Sequence, residues 1–322
     1  MEHTPDPRWK AALDHSHYLR NLLNNQPGLI PELLASWNQP LSEDLLLAPL
    51  KQAFADDDAV RAALRRLRQR AMAHIALRDL CGLAPLGEIV ESMTMLADVT
   101  TNFALDFYHR QLVTTYGEPL DKAGQPQRLL IIGMGKLGGR ELNVSSDVDY
   151  IFVYPEEGDS AGPKSIENYD FFNRLGKRVI AALGDLTADG QVFRVDMRLR
   201  PNGDSGPLVC SLDALENYFI TQGREWERYA WIKSRVMNAG PNADGAALGA
   251  WMLALRRISR PFVFRKYLDF GAINAMRDLH AQIRREVARK DKVGHIKLGP
   301  GGIREVEFIA QVFQLIRGGR DP

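Results

Sequence analysis

The chain has 322 residues, and its 41 basic and 40 acidic side chains give a formal net charge of +1 at pH 7. This balance argues against a bulk nucleic-acid binder, and no apolar run approaches the ~20 residues of a membrane-spanning helix. The composition is that of a globular protein with about one to three domains. Cys81 and Cys210 are predicted to be free thiols, and the polar N-terminus does not resemble a secretory signal. We therefore expect a cytoplasmic protein without nucleic-acid or membrane partners.

The first 122 residues are predicted to form a helical region. Between residues 60 and 80, apolar side chains recur every three to four residues, as on the buried face of a helix, at Leu64, Leu67, Ala71 and Ile75. The arginines of this segment lie mostly off that face, at Arg61, Arg65, Arg66, Arg68 and Arg70. Because the whole chain is nearly neutral, we interpret them as a solvated face rather than a nucleic-acid patch. A second helix is predicted to follow Pro85 and to end near Tyr116-Gly117, before a turn at Glu118-Pro119.

Residues 123–236 are predicted to be the catalytic core of an α+β fold, with a mixed sheet and helices. The predicted strands are 128–132, 149–154 and 191–200. The predicted helices are 168–183, a segment from its cap at Ser211 to Phe219, and 224–236. A third region, 237–322, is predicted to be helical again, with a turn at 297–303 before a last helix over 304–316.

A glycine-rich segment directly follows the first predicted strand. Residues 133–138, GMGKLG, match the G-x-G-x-x-G pattern of dinucleotide-binding folds, and Glu156 lies near the position of their ribose-binding acid. Such a fold needs a sustained helix between the glycines and the second strand. Only ten residues separate Gly138 from Asp149, and they include a glycine, an asparagine and a Ser-Ser pair. The sequence therefore disfavours an NAD-binding protein.

Three aspartates are predicted to lie together on neighbouring strands. Asp147 and Asp149 open the second strand two residues apart, so their side chains point to the same face. Asp196 lies in the middle of the third predicted strand, opposite that strand's apolar face. Carboxylate oxygens suit Mg²⁺, and two such ions steady the attacking and leaving oxygens of an in-line displacement. The pattern predicts a site for two Mg²⁺ ions at these three residues.

These motifs together resemble a known family. A glycine pair followed by D-x-D is similar to the core of DNA-polymerase-β-like nucleotidyltransferases. The segments GMGKLGGRELNVSSDVDYIFVYPE, FRVDMRLRPNGDSGPLV and HIKLGPGGIREVEFIAQVF closely resemble glutamine synthetase adenylyltransferase. That family's enzyme has one half that adds AMP to a tyrosine of glutamine synthetase and another that removes it by phosphorolysis, giving ADP. The N-S-S-D-x-D motif resembles the removing half, and the ending at Asp321-Pro322 leads us to expect a fragment of a longer protein.

The resemblance implies specific roles. Asp147, Asp149 and Asp196 would hold Mg²⁺, and Asp196 is also a candidate for orienting or deprotonating the attacking oxygen. The residues expected to contact the nucleotide or phosphate are Lys136, Gly138, Gly139, Ser146, Arg198 and Lys233. The implied partners are glutamine synthetase as protein substrate, phosphate and ADP, and the signalling protein PII and glutamine as regulators. An adenylyltransferase half that uses ATP and a noncatalytic docking domain remain as alternatives.

Four glutamates near these motifs are open between structural and catalytic roles. Glu225 and Glu227 are predicted to be structural. For Glu305 and Glu307, in the G-G-I-R-E-x-E-F segment, we favour a buried ion-pair network with Arg304. For Arg198, phosphate binding is favoured over a role as structural partner of the aspartates.

Overall fold

The computed structural model describes residues 6–238, 245–264, 281, 285, 289, 295–297 and 299–318. The strands are β1 (Leu130–Met134), β2 (Val148–Tyr154), β3 (Val195–Asp196), β4 (Val209–Ser211) and β5 (Ser234–Val236). The helices up to the sheet are α1 (Pro7–His15), α2 (His17–Asn25), α3 (Leu29–Ser36), α4 (Glu43–Leu47), α5 (Asp57–Leu80) and α6 (Leu86–Tyr116). The later helices are α7 (Gly135–Gly138), α8 (Asn168–Gly184), α9 (Leu212–Thr221), α10 (Glu225–Trp231), α11 (Gly245–Val263) and α12 (Ile303–Arg317).

The long periodic helices were predicted correctly. The stripe of Leu64, Leu67, Ala71 and Ile75 is buried along α5. Helix α6 begins after Pro85 and ends at Gly117, whose φ of 85° is a backbone conformation that favours glycine. The predicted helices at residues 168–183 and 304–316 are present as α8 and α12. Much of the predicted helical region between 265 and 294 lies outside the described residues.

A mixed sheet forms the centre of the fold, in the order β3-β2-β1-β5. Strand β1 runs antiparallel to both β2 and β5, whereas β3 and β4 pair in parallel with opposite ends of β2. Because β1 and β2 are antiparallel and α7 has four residues, the glycine segment does not belong to a βαβ unit. This topology agrees with the prediction that the chain is not an NAD-binding protein.

Helices cover both faces of the sheet. Alternate residues along β2 enter different cores: Tyr150 and Phe152 pack with α5, α6 and α8, while Ile151 and Val153 pack with α9, α10 and α11. Helices α1 to α3 form a separate cluster around the second half of α5. Helix α6 therefore shares a core with the sheet, across the predicted boundary at residue 122. The division into regions 1–122, 123–236 and 237–322 stays a prediction.

Two predicted elements differ in the structure. The strand predicted over 191–200 has only two paired residues, because the Asp196 side chain accepts a hydrogen bond from the backbone N–H of Arg198 and the chain turns there. The helix predicted over 224–236 ends at Trp231, and the chain then becomes β5. Backbone pairing of Ser234 with Met134 outweighs the local helical pattern in that segment.

Arg65 contradicts the prediction of a solvated arginine face on α5. It is 1% exposed, and its guanidinium donates hydrogen bonds to the carbonyls of Ala182 (3.0 Å), Asp185 and Gly190 (2.8 Å). These carbonyls lie at and just beyond the C-terminus of α8, where helical carbonyls lack intrahelical partners and a cation is favoured. Arg65 is therefore a structural residue that joins α5 to the end of α8.

The N-cap of α9 was predicted at Ser211 and is confirmed. Its hydroxyl accepts a hydrogen bond from the backbone N–H of Ala214 at 3.3 Å. Replacing Ser211 by alanine leaves that N–H without its cap and is expected to lower the free energy of unfolding by about 1 kcal/mol. Urea denaturation measures the change, with Ser165→Ala, at an exposed loop position, as the control. Equal stability of both variants would contradict the capping role.

Candidate active site

The sheet brings two of the predicted carboxylates side by side. Asp149 in β2 is the direct partner of Asp196 in the parallel strand β3. Val148 is fully buried, so Asp147 and Asp149 on either side of it lie on the opposite face, away from the core. The prediction that these aspartates share one face of neighbouring strands agrees with this register.

Asp149 lies in an environment that opposes its negative charge. Burial is the main cause of a pKa of about 6, and repulsion from Asp196 and Asp147 adds to it. The cations Arg198 and Lys297 act in the opposite direction. Within the described part of the chain the Asp149 carboxylate makes no hydrogen bond or ion pair. A half-buried carboxylate that is repelled by its neighbours and has no partner among the described residues is suited to accept a cation.

The other two aspartates are paired with arginines. Asp147 forms an ion pair with Arg194, and Asp196 accepts hydrogen bonds from Arg198 Nε at 2.9 Å and from its backbone N–H at 2.8 Å. The hydrogen bonds with Arg198 hold the pKa of Asp196 below its usual value. Both arginine side chains are mostly exposed, at 64% and 73%. The carboxylates are therefore bordered by two solvent-accessible guanidinium groups.

The three carboxylates supply the oxygen ligands that Mg²⁺ prefers. Among the described residues, however, no group of three acidic, histidine or cysteine side chains is already arranged around a metal position. The reason is visible at Asp147 and Asp196, whose oxygens are turned towards Arg194 and Arg198. Asp149, which has no partner among the described residues, fits a cation, whereas Asp147 and Asp196 are engaged by the two arginines.

The glycine turn, residues 133–139, lies beside Asp149. Gly135 has a φ of 58°, and a Cβ placed on it would lie 3.7 Å from Asp149 Oδ2. Gly135 was not among the predicted site residues, although its position in the glycine motif is a sufficient signal. Lys136 is partly buried, and its carbonyl accepts a hydrogen bond from the backbone N–H of Glu141 at 2.7 Å. Its predicted contact with phosphate stays a prediction.

The two glycines predicted to contact phosphate have different surroundings. A Cβ on Gly138 would lie 2.2 Å from the carbonyl oxygen of Lys233, so glycine is required there for packing against the start of β5. At Gly139, an exposed position, a Cβ would meet its nearest neighbours at 3.5 Å. Ser146 hydrogen-bonds through its hydroxyl to Asn143 Oδ1 at 2.5 Å, within the loop before Asp147. The phosphate roles of all three stay predictions.

Lys233 was predicted to lie on a helix, but the structure places it directly before β5. Its ammonium donates to Glu141 at 2.8 Å and to Glu307 of α12 at 2.7 Å. Nearby, Arg235 in β5 pairs with Asp98 of α6 at 2.9 Å and donates to the Leu137 carbonyl. Arg235 of β5 thus connects the glycine turn to α6, and Lys233 connects it to α12.

Besides Gly135, two charged residues that border the site were not predicted from the sequence. Arg194 is two residues before Asp196, so both side chains lie on the same side of the strand. This spacing could have identified Arg194 from the sequence. Lys297, in the turn before α12, is close enough to Asp149 to lower its pKa. It lies 148 residues along the chain from Asp149, and no local pattern indicates that proximity.

The model of the glutamate-ammonia ligase adenylyltransferase family matches residues 8–249. The chain belongs to this family. Residues 277–322 also match the GlnD PII-uridylyltransferase model. The chain is similar to three curated proteins named bifunctional glutamine synthetase adenylyltransferase/adenylyl-removing enzyme. They come from Aromatoleum aromaticum (60% identical), Nitrosomonas eutropha (54%) and Neisseria meningitidis (49%). These alignments cover 97%, 97% and 98% of the chain but 32%, 33% and 34% of the relatives, so the chain spans about a third of their length.

Glu227 has a structural role, as predicted. It is 3% exposed and accepts hydrogen bonds from the Tyr218 hydroxyl at 2.7 Å and from the backbone N–H of Arg224 at 2.8 Å. Glu225 forms an ion pair with Arg228 on the same helix. These contacts fix the start of α10, which leads the chain into β5.

The glutamates of α12 differ from the predicted network with Arg304. Glu307 pairs with Lys233, and Glu305 accepts a hydrogen bond from the backbone N–H of Gly301 at 2.8 Å. Neither carboxylate is fully buried. The cation that pairs with Glu307 is therefore Lys233, from the β5 side of the fold.

Cys81 and Cys210 are both free thiols. Among the described residues, none of the helices is both long and apolar enough to cross a membrane.

Proposed function

We propose that this chain is an AMP-removing nucleotidyltransferase with a DNA-polymerase-β-like core, acting on adenylylated glutamine synthetase. A phosphate oxygen attacks the phosphorus of the AMP-tyrosine linkage, the bond from phosphorus to the tyrosine oxygen breaks, and the phenolate takes a proton. The products are ADP and unmodified tyrosine. The observation that carries the proposal is Asp149, which lies beside Asp196 and against the glycine turn and has no hydrogen-bond or ion-pair partner in the described part of the chain.

The carboxylates and arginines have complementary tasks in this reaction. Asp147, Asp149 and Asp196 would hold Mg²⁺, which supplies neutralisation of charge on the transferred phosphoryl group. Arg194 and Arg198 are exposed beside the carboxylates and present guanidinium forks, which match phosphate oxygens. Their pairs with Asp147 and Asp196 hold the arginines at the site. On binding, phosphate would replace the carboxylates as partner of the arginines, and Mg²⁺ would replace the arginines as partner of the carboxylates.

The need for a base distinguishes phosphorolysis from AMP addition. Asp196 has a lowered pKa while it is paired with Arg198, and once that pair opens it is a proposed ligand of Mg²⁺, so it is a weak base in either state. Phosphate is already an anion at neutral pH and needs little help from a base, whereas a tyrosine hydroxyl with a pKa of about 10 must lose its proton to attack. The N-S-S-D-V-D motif, which resembles the removing half, supports the same choice.

The partners of the proposed reaction follow from the relatives' names and the family resemblance. Glutamine synthetase is the proposed protein substrate, and PII and glutamine are the proposed regulators. The match of residues 277–322 to the PII-uridylyltransferase model supports a link with PII signalling.

The deciding experiment measures ADP released from adenylylated glutamine synthetase with Mg²⁺, with and without phosphate. We expect phosphate-dependent ADP from the wild type and from Asp79→Asn, an exposed control on α5, but none from Asp147→Asn. Loss of ADP on chelation of Mg²⁺ is also expected. AMP transfer from ATP to unmodified glutamine synthetase, without ADP release, would assign the adding activity instead.

A further inference from the structure

Lys233 lies between the glycine turn and the last described helix. Its ammonium contacts Glu141, which follows the glycine turn, at 2.8 Å, and Glu307 of α12 at 2.7 Å. The Lys233 side chain is 15% exposed, compared with 54% for Glu141 and 36% for Glu307. Burial alone would lower the pKa of Lys233, but its hydrogen bonds with the two glutamates outweigh burial and raise it. The lysine is thus a charged link with both of its carboxylate partners in place.

The backbone of Lys233 is fixed to the same turn. Its carbonyl oxygen packs against Gly138 so closely that a Cβ there would approach to 2.2 Å. The next residue, Ser234, pairs with Met134 of β1 at the start of the glycine turn. The main chain of Lys233 therefore moves with the glycine turn, and its side chain reaches across to α12.

We propose that Lys233 is a positioning residue that fastens α12, through Glu307, to the glycine turn, and that the nucleotide site needs α12 in this place. This inference rests on the proposed function for its kinetic consequence, but the attachment itself does not depend on it. It replaces the predicted role of Lys233 as a direct phosphate contact.

The position of α12 also determines the position of Lys297. The backbone N–H groups of Ile303 and Arg304 donate to the carbonyls of Ile296 and Lys297, at 3.2 and 3.1 Å, so the turn is tied to the start of the helix. Lys297 lies within electrostatic range of Asp149, so a shift of the turn moves this cation relative to the carboxylates. Tyr229 of α10 packs on Phe308 with ring centroids 5.3 Å apart and supports the same docking. Fastening α12 therefore holds a cation near the site where phosphate is proposed to bind.

The test compares Glu307→Gln, Lys233→Gln and the double variant by hydrogen exchange of residues 303–317 and by phosphate KM for ADP release. Each single variant breaks the same partly buried ion pair, so we expect exchange about tenfold faster in α12 and a phosphate KM about tenfold higher. In exchange of α12 the double variant should match Lys233→Gln, because both substitutions break the Lys233–Glu307 pair and the other partner of Lys233, Glu141, lies outside α12. Lys233→Arg, which keeps the charge, should retain most of the protection of α12.

Glu216→Gln is the matched control, since Glu216 is exposed on α9. If Lys233 bound phosphate directly, Glu307→Gln would free the ammonium and lower the phosphate KM or leave it unchanged, which would overturn the proposal. Unchanged exchange of α12 in both single variants would overturn it as well. The exchange measurement needs no activity, so a failure of the proposed reaction is distinguishable from a failure of the attachment.

Discussion

Replacing Asp149 by asparagine is expected to lower the rate of phosphate-dependent ADP release at least about a thousandfold. The same substitution is expected to make the metal-free protein more stable. Activity falls because the unpartnered carboxylate between Asp147 and Asp196 is lost. Stability rises because the amide removes a charge that burial and two neighbouring aspartates oppose. A residue kept for function at a cost in stability is the expected property of a metal-binding position.

The sign of the effect follows from the pKa of Asp149. It is 3.8 in the unfolded reference and about 6 in the folded protein, so the folded state holds the proton more tightly. Asp149 therefore lowers stability as pH rises from about 4 to about 6, and the loss persists above that range. Two pKa units correspond to about 3 kcal/mol, which screening by water at this partly exposed position reduces to about 1–2 kcal/mol. Without metal, Asp149→Asn should be more stable than the wild type at pH 7 and similar to it near pH 4.

Thermal denaturation with and without Mg²⁺ completes this test. Mg²⁺ should raise the midpoint of the wild type, since a ligand that binds only the folded state stabilises it, and should raise that of Asp149→Asn much less. Asp79→Asn, on the exposed side of α5, should respond to Mg²⁺ like the wild type. An Asp149→Asn protein that is less stable than the wild type without metal would show that the carboxylate has a structural partner instead.

The parts of the fold that the sequence predicted are those governed by local periodicity. Helices α5, α6 and α8 carry long apolar stripes and clear end signals, and their existence follows from the residues within them. Strand β5 is three residues long and follows a helical pattern, and its conformation depends on pairing with β1, about a hundred residues earlier. The buried Arg65 shows the same limit, because its carbonyl partner Ala182 is 117 residues away in sequence.

In the site, too, the local relations between residues were predictable and the tertiary contacts were not. Spacing alone places Asp147 and Asp149 on one face, and strand alternation adds Asp196, because these relations are local. The contacts of Lys233 with Glu307 and the proximity of Lys297 to Asp149 depend on how α12 folds back on the core. From the sequence alone, Lys233 was a candidate for a phosphate contact because it is a cation near the motifs of the site. The tertiary structure pairs it with Glu141 and Glu307.

Replacing Gly138 by alanine is expected to lower the free energy of unfolding by about 3 kcal/mol, because the added methyl group has no space. It would lie 2.2 Å from the carbonyl oxygen of Lys233 and 2.6 Å from that of Gly133, and both are backbone atoms that cannot rotate away. Relief of the clash requires β5 to move from the glycine turn, so the substitution should also displace Lys233. Urea denaturation measures the loss of stability, and hydrogen exchange of residues 234–236 measures the loosening of β5.

Gly139→Ala is the matched control one residue along the same turn. Its Cβ would meet its nearest neighbours at 3.5 Å, an ordinary contact, so we expect little loss of stability. Gly139 also tests the predicted phosphate contact separately from packing: a normal free energy of unfolding with a raised phosphate KM would place phosphate at the exposed end of the turn. If Gly138→Ala were as stable as Gly139→Ala, the close packing of Lys233 on the turn would be wrong. The positioning role of Lys233 would then lose its backbone support, because the lysine main chain would no longer be tied to the glycines.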